Sequence, residues 1–172
     1  MRTLILFRHA KSSWTNSGLG DFDRPLSERG EKAAPRMAAY VAEQCLVPDL
    51  VLCSAARRTR DTLDLALPQW VPEPRIDYVK ALYLAEVPTL LALVHNTPPE
   101  TQRLMIIGHN PGLQNFALAL IGGDTPEAGT IARKFPTAAV AVIRFDIRDW
   151  AAVRPRGGHL ASFMTPRQFA TA

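Results

Sequence analysis

The sequence predicts a three-layer α/β/α sandwich built on a mostly parallel central sheet. Short apolar runs alternate with stretches of helical spacing, the pattern of strands wrapped by crossover helices. Three of the runs also finish alike, on Arg, His or Ser followed by a turn, as strands that share one edge of a sheet would. The 172 residues, 47% of them apolar, are the usual size of one domain, expected to span residues 1–172.

Thr3 to Phe7 (TLILF) reads as a buried strand. Ser27 to about Gln44 reads as a helix with Ala34, Met37, Ala38 and Val41 on one face, which Pro35 should kink or delay. Asp49 to Cys53 (DLVLC) is the second strand. Ala56 to Leu67 then carries Thr59, Thr62, Leu63 and Ala66 at helical spacing and stops at Pro68. A Pro-rich link (Pro68, Pro72, Pro74) leads to Pro88 in the first turn of a helix bearing Leu90, Leu91 and Val94. Arg103 to Ile107 (RLMII) is the third strand. Leu113, Phe116, Ala117 and Leu120 follow at i, i+3, i+4 and i+7, closed by Gly122 and Gly123. Ala138 to Phe145 is a fourth strand, and the segment with Trp150, Gly157, Gly158 and Phe163 is a further short strand or an irregular end.

The charge excludes less than it suggests. A net +4 and a pI near 9.4 invite a polyanion, yet residues 1–86 hold 12 basic and 11 acidic side chains and residues 87–172 hold 8 and 5, so no basic block exists. No nucleic-acid partner is expected. No apolar run approaches the roughly 18 residues of a membrane span, and Arg8 and His9 break the first one. No membrane partner is expected, and the default address is cytoplasmic. Cys45 and Cys53 form no ligand set or disulfide framework, and both read as buried or half-buried thiols.

The chemistry collects where the strands end. TLILF runs into Arg8 and His9, DLVLC into Ser54 and then Arg57 and Arg58, RLMII into Gly108, His109, Asn110 and Pro111. In an open α/β sheet these residues converge on one mouth. Asn110-Pro111 reads as an N-cap with Pro at N1, aiming a helix N-terminus at the same space. Arg, His and a helix start suit a compact dianion, and phosphate above a carboxylate, because its tetrahedral oxygens use several donors at once. Motifs for triphosphates (GxxxxGK[ST]) and dinucleotides (GxGxxG) are absent, as is an acidic cluster for magnesium. Six residues after Cys53 stands Thr59, so there is no Cys phosphate loop either. The sequence therefore calls for no cofactor and no metal. The nucleophile left at a strand end is His, with His9 preferred beside Arg8.

These segments resemble a known family. Leu6-Phe7-Arg8-His9-Ala10-Lys11-Ser12 is similar to the R-H-G or R-H-A signature of the histidine phosphatase superfamily, the phosphoglycerate-mutase-like phosphatases. Asp23-Arg24-Pro25-Leu26-Ser27-Glu28-Arg29-Gly30 resembles its D-R-P-L-[ST]-x-x-G segment. Val51 to Thr62 resembles S-P-x-x-R-A-x-Q-T, with Ala55 for Pro, Thr59 for Ala and Asp61 for Gln; this register makes Arg58, not Arg57, the phosphate-binding Arg. Ile107 to Pro111 resembles the second catalytic His motif. Arg-His-Ala-Lys-Ser in so short a domain favours the SixA-type branch, the phosphohistidine phosphatases.

The resemblance implies a phosphoglycerate-mutase-like fold and a metal-independent phosphatase. His9 would attack phosphorus and carry a phosphohistidine intermediate. Arg8, Arg58 and His109 would hold the phosphoryl oxygens, and Glu86, after Leu82-Tyr83-Leu84-Ala85, would protonate the leaving group or else only face its own helix start. The expected partner is a phosphorylated protein, a phosphohistidine phosphotransfer domain. The alternatives are a small phosphorylated metabolite, such as a sugar or nucleotide phosphate, and a phosphoprotein-binding module without turnover. A large cap would favour the small substrate, and the span from Leu63 to Arg103 is too short to hold one. Lys11 and Ser12 either touch phosphate or close the loop, and Trp14, Phe22 and residues 16–21 are expected beside the mouth. His95 and His159 have no motif around them and read as exposed or capping residues.

Overall fold

The computed structural model describes residues 1–122 and 125–170. The strands are β1 (Arg2–Arg8), β2 (Leu50–Ser54), β3 (Arg75–Val79), β4 (Arg103–Gly108), β5 (Val140–Phe145) and β6 (His159–Met164). The helices are α1 (Glu28–Glu43), α2 (Arg57–Ala66), α3 (Val87–His95), α4 (Gly112–Ile121), α5 (Pro126–Arg133) and α6 (Arg167–Ala170). One sheet has the order β3-β2-β4-β1-β5-β6. Its β3-β2, β2-β4 and β4-β1 pairs are parallel, and β5 runs against both of its neighbours. The sheet is thus mostly parallel, as the sequence predicts.

Strand alternation makes the three layers. In β1, Leu4 and Leu6 face a core shared with Leu90 and Val94 of α3 and Leu113, Phe116 and Leu120 of α4. Ile5 and Phe7 face the opposite core, with Ala34, Met37 and Val41 of α1 and Leu63 and Ala66 of α2. A strand covered on both faces has no polar side, which is why TLILF reads as a continuous apolar run. Burying one such side chain is worth about 1.5–3 kcal/mol.

α1 starts where Ser27 Oγ accepts the Gly30 N–H at 3.2 Å. The helix starts at Glu28 and continues through Pro35, without the delay that the proline was expected to cause. Its face of Ala34, Met37, Ala38 and Val41 is fully buried, and that packing outweighs the roughly 3 kcal/mol an internal Pro costs. Gly30 is required: a Cβ there would stand 2.2 Å from the Lys11 carbonyl oxygen. This close approach seats α1 against the loop leaving β1.

Several elements differ from expectation. The Pro-rich link contains β3, an edge strand that enters directly from Pro74 and is only half-buried, so it lacks an apolar run. α5 was not foreseen; Thr125 caps it by accepting the Ala128 N–H. Gly122 ends α4 with φ of 77°, while Gly123 lies outside the described residues. Phe163 belongs to β6, a true strand with a bulge opposite Val142 and Ile143. Cys53 is buried as expected, but Cys45 is exposed, on a turn after α1. Among the described residues no helix is long and apolar enough to cross a membrane.

Candidate active site

Sheet register sets the site. Ile107 of β4 stands opposite both Phe7 of β1 and Cys53 of β2, so Arg8, Gly108 and Ser54 end level with one another. One residue further, His9 and His109 leave the sheet side by side, their ring centroids 5.4 Å apart. The His9 N–H donates to the Gly108 carbonyl at 3.1 Å, tying the two exits together.

His9 is 6% exposed, and its Nδ1 lies 2.7 Å from the Ala10 carbonyl oxygen. A carbonyl only accepts, so Nδ1 carries the proton and Nε2 keeps its lone pair. Burial pulls the His9 pKa down to about 3, reinforced by His109, Arg58 and Arg8 and opposed by the Ala10 bond. His9 is therefore neutral at pH 7, with a nucleophilic nitrogen free.

His109 is 3% exposed, with Nε2 2.7 Å from Ser54 Oγ and a buried Nδ1 that has no partner. Its pKa is lowered to about 3, chiefly by burial and then by Arg58. The Tyr83 ring meets it edge-on at 5.4 Å. Arg8 is half-buried; Nη1 donates to the Phe135 carbonyl at 2.8 Å, and Nε has no partner. Asn110 Nδ2 donates to that same carbonyl at 3.0 Å.

Of the two neighbouring arginines, Arg58 is buried and turned to the mouth. Arg57 is exposed and pairs along the helix with Asp61 at 3.7 Å. Arg58 Nη1 donates to the Asp21 carbonyl at 2.7 Å and Nη2 to its carboxylate at 3.1 Å, with Nε buried and unpartnered. Four buried side-chain polar atoms lack a partner among the described residues, and three of them, Arg8 Nε, Arg58 Nε and His109 Nδ1, are at this mouth. An unmade buried hydrogen bond costs about 1–3 kcal/mol. Two guanidinium groups with an unpartnered Nε, beside neutral imidazoles, can together donate to an anion.

Other expectations fare differently. Pro111 is the N-cap of α4 and Gly112 its first residue; a Cβ on Gly112 would stand 1.9 Å from the Ala85 carbonyl oxygen. The first N–H groups of α4 are partly spent, Leu113 on the His109 carbonyl at 2.9 Å and Gln114 on Asn110 Oδ1 at 3.3 Å. This helix start therefore offers an anion less than its sequence suggests. Glu86 is exposed at the N-cap of α3, without a side-chain capping bond. Ser12 is buried and accepts from Arg24 at 2.6 Å. Trp14 is exposed, with the Arg24 guanidinium stacked 3.4 Å above its ring. His95 is half-buried with Nε2 2.8 Å from the Val153 carbonyl oxygen, and His159 is exposed on β6. Both lie apart from the mouth. Burial and the nearby Asp64 push the Cys53 thiol pKa far up, leaving it inert.

Sequence reasoning put Asp21 in the loop beside the mouth but gave neither Asp21 nor Tyr83 a role there. Asp21 accepts from Arg58, Arg24 and the Tyr83 hydroxyl. Tyr83, and then Arg24 and Arg58, hold its carboxyl down to about 2 against the opposing effect of burial. Asp23, the acid that matches the D-R-P-L pattern, takes no part in these bonds. The available signal was that Asp21 stands three residues before Arg24 in the loop expected beside the mouth.

Comparison with known proteins identifies the family and the fold. A model of the histidine phosphatase superfamily (branch 1) matches residues 4–80. An uncharacterized protein of Mycobacterium tuberculosis is 34% identical over 167 residues, 93% of this chain and 99% of that one. The crystal structure of a candidate phosphohistidine phosphatase SixA from Agrobacterium tumefaciens superposes with a TM-score of 0.83 at 32% identity, covering 96% of this chain and 98% of the other. The protein histidine phosphatase SixA in complex with tungstate shares the fold at a TM-score of 0.79 and 21% identity, over 97% and 99% of the two chains. Since the likeness runs through nearly the whole chain and not only through its strand-end motifs, the chain belongs to the histidine phosphatase superfamily and is a phosphatase.

Proposed function

We propose that the chain is a metal-independent phosphatase whose nucleophile is His9 and whose substrate is phosphohistidine in a protein. The observation that carries the reading is the bond from His9 Nδ1–H to the Ala10 carbonyl at 2.7 Å. It presents Nε2 as a lone pair among Arg8, Arg58 and His109. Nε2 attacks phosphorus in line; the P–Nε2 bond forms as the bond to the leaving group breaks. The ring becomes a phosphoimidazolium whose Nδ1–H stays on Ala10. The departing imidazole nitrogen takes a proton from solvent; water then attacks phosphorus as the P–Nε2 bond breaks and returns a proton to solvent, and His9 is left neutral as inorganic phosphate departs. Arg8, Arg58 and His109 stabilise the charge on the equatorial oxygens, each such donor being worth roughly 10²–10³ in rate. Two guanidinium groups supply the positive charge that a metal supplies in other phosphoryl-transfer sites.

The choice of substrate rests on access and leaving group. The span from Leu63 to Arg103 is occupied by β3 and α3, both built into the sandwich, and Trp14 and Leu84 on the rim are 71% and 52% exposed. A phosphoryl group borne on a folded protein can reach such a mouth. A phosphoramidate is labile and needs less help from an acid than an alkoxide, which suits a site whose acid expected from the sequence, Glu86, is an exposed helix cap. The likeness to the SixA candidate from Agrobacterium tumefaciens points the same way.

The test compares rates on a phosphorylated histidine-containing phosphotransfer domain and on sugar and nucleotide phosphates, with trapping of labelled enzyme. Faster release from the phosphoprotein, with an acid-labile phosphoenzyme absent in His9→Ala, is expected. Fast hydrolysis of the small esters alone would assign the site to metabolites. No turnover of any substrate, with phosphoprotein retained, would make it a binding module.

A further inference from the structure

The geometry points to Asp21 as a positioning residue that sets the orientation of the Arg58 guanidinium for phosphoryl binding. The inference rests on the reading that Arg58 holds the phosphoryl group. Arg58 is a long side chain with about 2 kcal/mol of rotamer entropy to lose, and 4% of it is exposed. Asp21 takes hold of both terminal nitrogens, Nη1 through its backbone carbonyl at 2.7 Å and Nη2 through its carboxylate at 3.1 Å. That grip uses the end of the fork and fixes the guanidinium plane. The edge containing Nε, buried and without a partner, stays free for a two-point contact with phosphoryl oxygens.

Asp21 is itself held from both sides. Arg24 Nε and Nη2 donate to its Oδ1 at 3.2 and 3.0 Å, and Arg24 Nη1 is anchored on Ser12 Oγ at 2.6 Å. The Tyr83 hydroxyl donates to Oδ2, the oxygen that also accepts Arg58. The chain of contacts runs from Ser12, four residues after the end of β1, through Arg24 and Asp21 to Arg58 on α2. It thereby links two of the strand exits that form the mouth. Asp21 has a side chain 43% exposed, so it can be altered without opening the core.

The experiment is a double-mutant cycle on hydrolysis of p-nitrophenyl phosphate, with melting curves to verify folding. Asp21→Asn is expected to lower kcat/KM about 10-fold through misorientation of one donor, and Arg58→Ala about 10²-fold or more. The double variant should be no slower than Arg58→Ala, since Asp21 then has nothing to position. Millimolar guanidinium should restore part of the rate of Arg58→Ala and none of the rate of the double variant. Tyr83→Phe, a milder probe of the same carboxylate, should cost about threefold, again only while Arg58 is present. Losses that multiply, or guanidinium rescue that survives Asp21→Asn, would overturn the role of Asp21 and leave the reading of Arg58 intact. Wild-type rates in Arg58→Ala would overturn both.

Discussion

β1 begins and ends on a buried or half-buried arginine, and the two are treated in opposite ways. At its first residue Arg2, 6% exposed, donates from Nε to the Arg148 carbonyl at 3.0 Å, from Nη1 to Thr101 at 2.8 Å and from Nη2 to Pro99 at 2.6 Å and again to Arg148. At its last residue Arg8 has one carbonyl, Phe135, and an unpartnered buried Nε, and burial, followed by the like-charged Arg58, lowers its pKa. The first guanidinium is held at all three nitrogens by backbone oxygens, which closes loops onto the sheet. The second is kept short of partners beside two neutral histidines. The same side chain on the same strand is a tie at one end and an unspent donor set at the other. What separates structure from function here is whether the hydrogen bonds are already made.

The most severe way to break this contrast is to delete each arginine. Arg8→Ala should lower kcat/KM by about 10³-fold while leaving stability near that of the wild type. Arg2→Ala should destabilise the fold by about 3 kcal/mol, because buried carbonyls lose their donor, with turnover per folded molecule unchanged. Steady-state kinetics and urea denaturation read the two outcomes, and reversed outcomes would refute the contrast.

Next in size is the response to ligand. Inorganic phosphate at 100 times its Kd should raise unfolding stability by about 2.7 kcal/mol in the wild type and by the same increment in Arg2→Ala. It should do little in Arg8→Ala. Equal stabilisation of all three proteins would place the anion elsewhere.

A third test is the response to pH. His9 and His109 have pKa values lowered to about 3 in the folded chain, against about 6.5 unfolded. The unfolded chain then binds more protons between those limits, so stability is full above about pH 6.5 and is lost as pH falls toward 3. Ring resonances of His9 and His109 followed by NMR should show no titration between pH 5 and 8 in ligand-free protein, and urea midpoints should decline below that range. Titration of either ring near pH 6.5 would contradict the buried neutral pair.

The smallest expected change is at Glu86. Glu86→Gln should slow phosphohistidine hydrolysis less than threefold and slow an alkyl phosphate ester by about 10-fold. A large loss on both would make the carboxyl a general acid for the proposed reaction as well.

How much could be read beforehand depends on how local each feature is. The runs TLILF, DLVLC and RLMII are strands because four to six apolar residues between polar turns leave few alternatives, and all three lie where expected within a residue or so. Arg8, His9, Arg58 and His109 were legible because each sits within five residues of a strand end. β3 was illegible because an edge strand with Arg75 and Asp77 exposed or half-exposed shows no apolar run. The loop of residues 16–21 was legible beside the mouth, but the contact of Asp21 with Arg58 was not, because the two lie 37 residues apart, and Arg2 was illegible because its partners are carbonyls of residues 99, 101 and 148.

The sequence by itself determined the layers, the parallel strands and the residues that leave them, because alternation, capping and strand-end chemistry are written in consecutive residues. Tertiary structure alone decided that β2, β4 and β1 lie side by side with level ends, that Asp21 takes hold of Arg58, and that His9 keeps its lone pair on Nε2. The first two depend on contacts between distant segments, and the third on how the packed chain turns the His9 ring toward the carbonyl of its neighbour Ala10. Such contacts form only once the chain is packed.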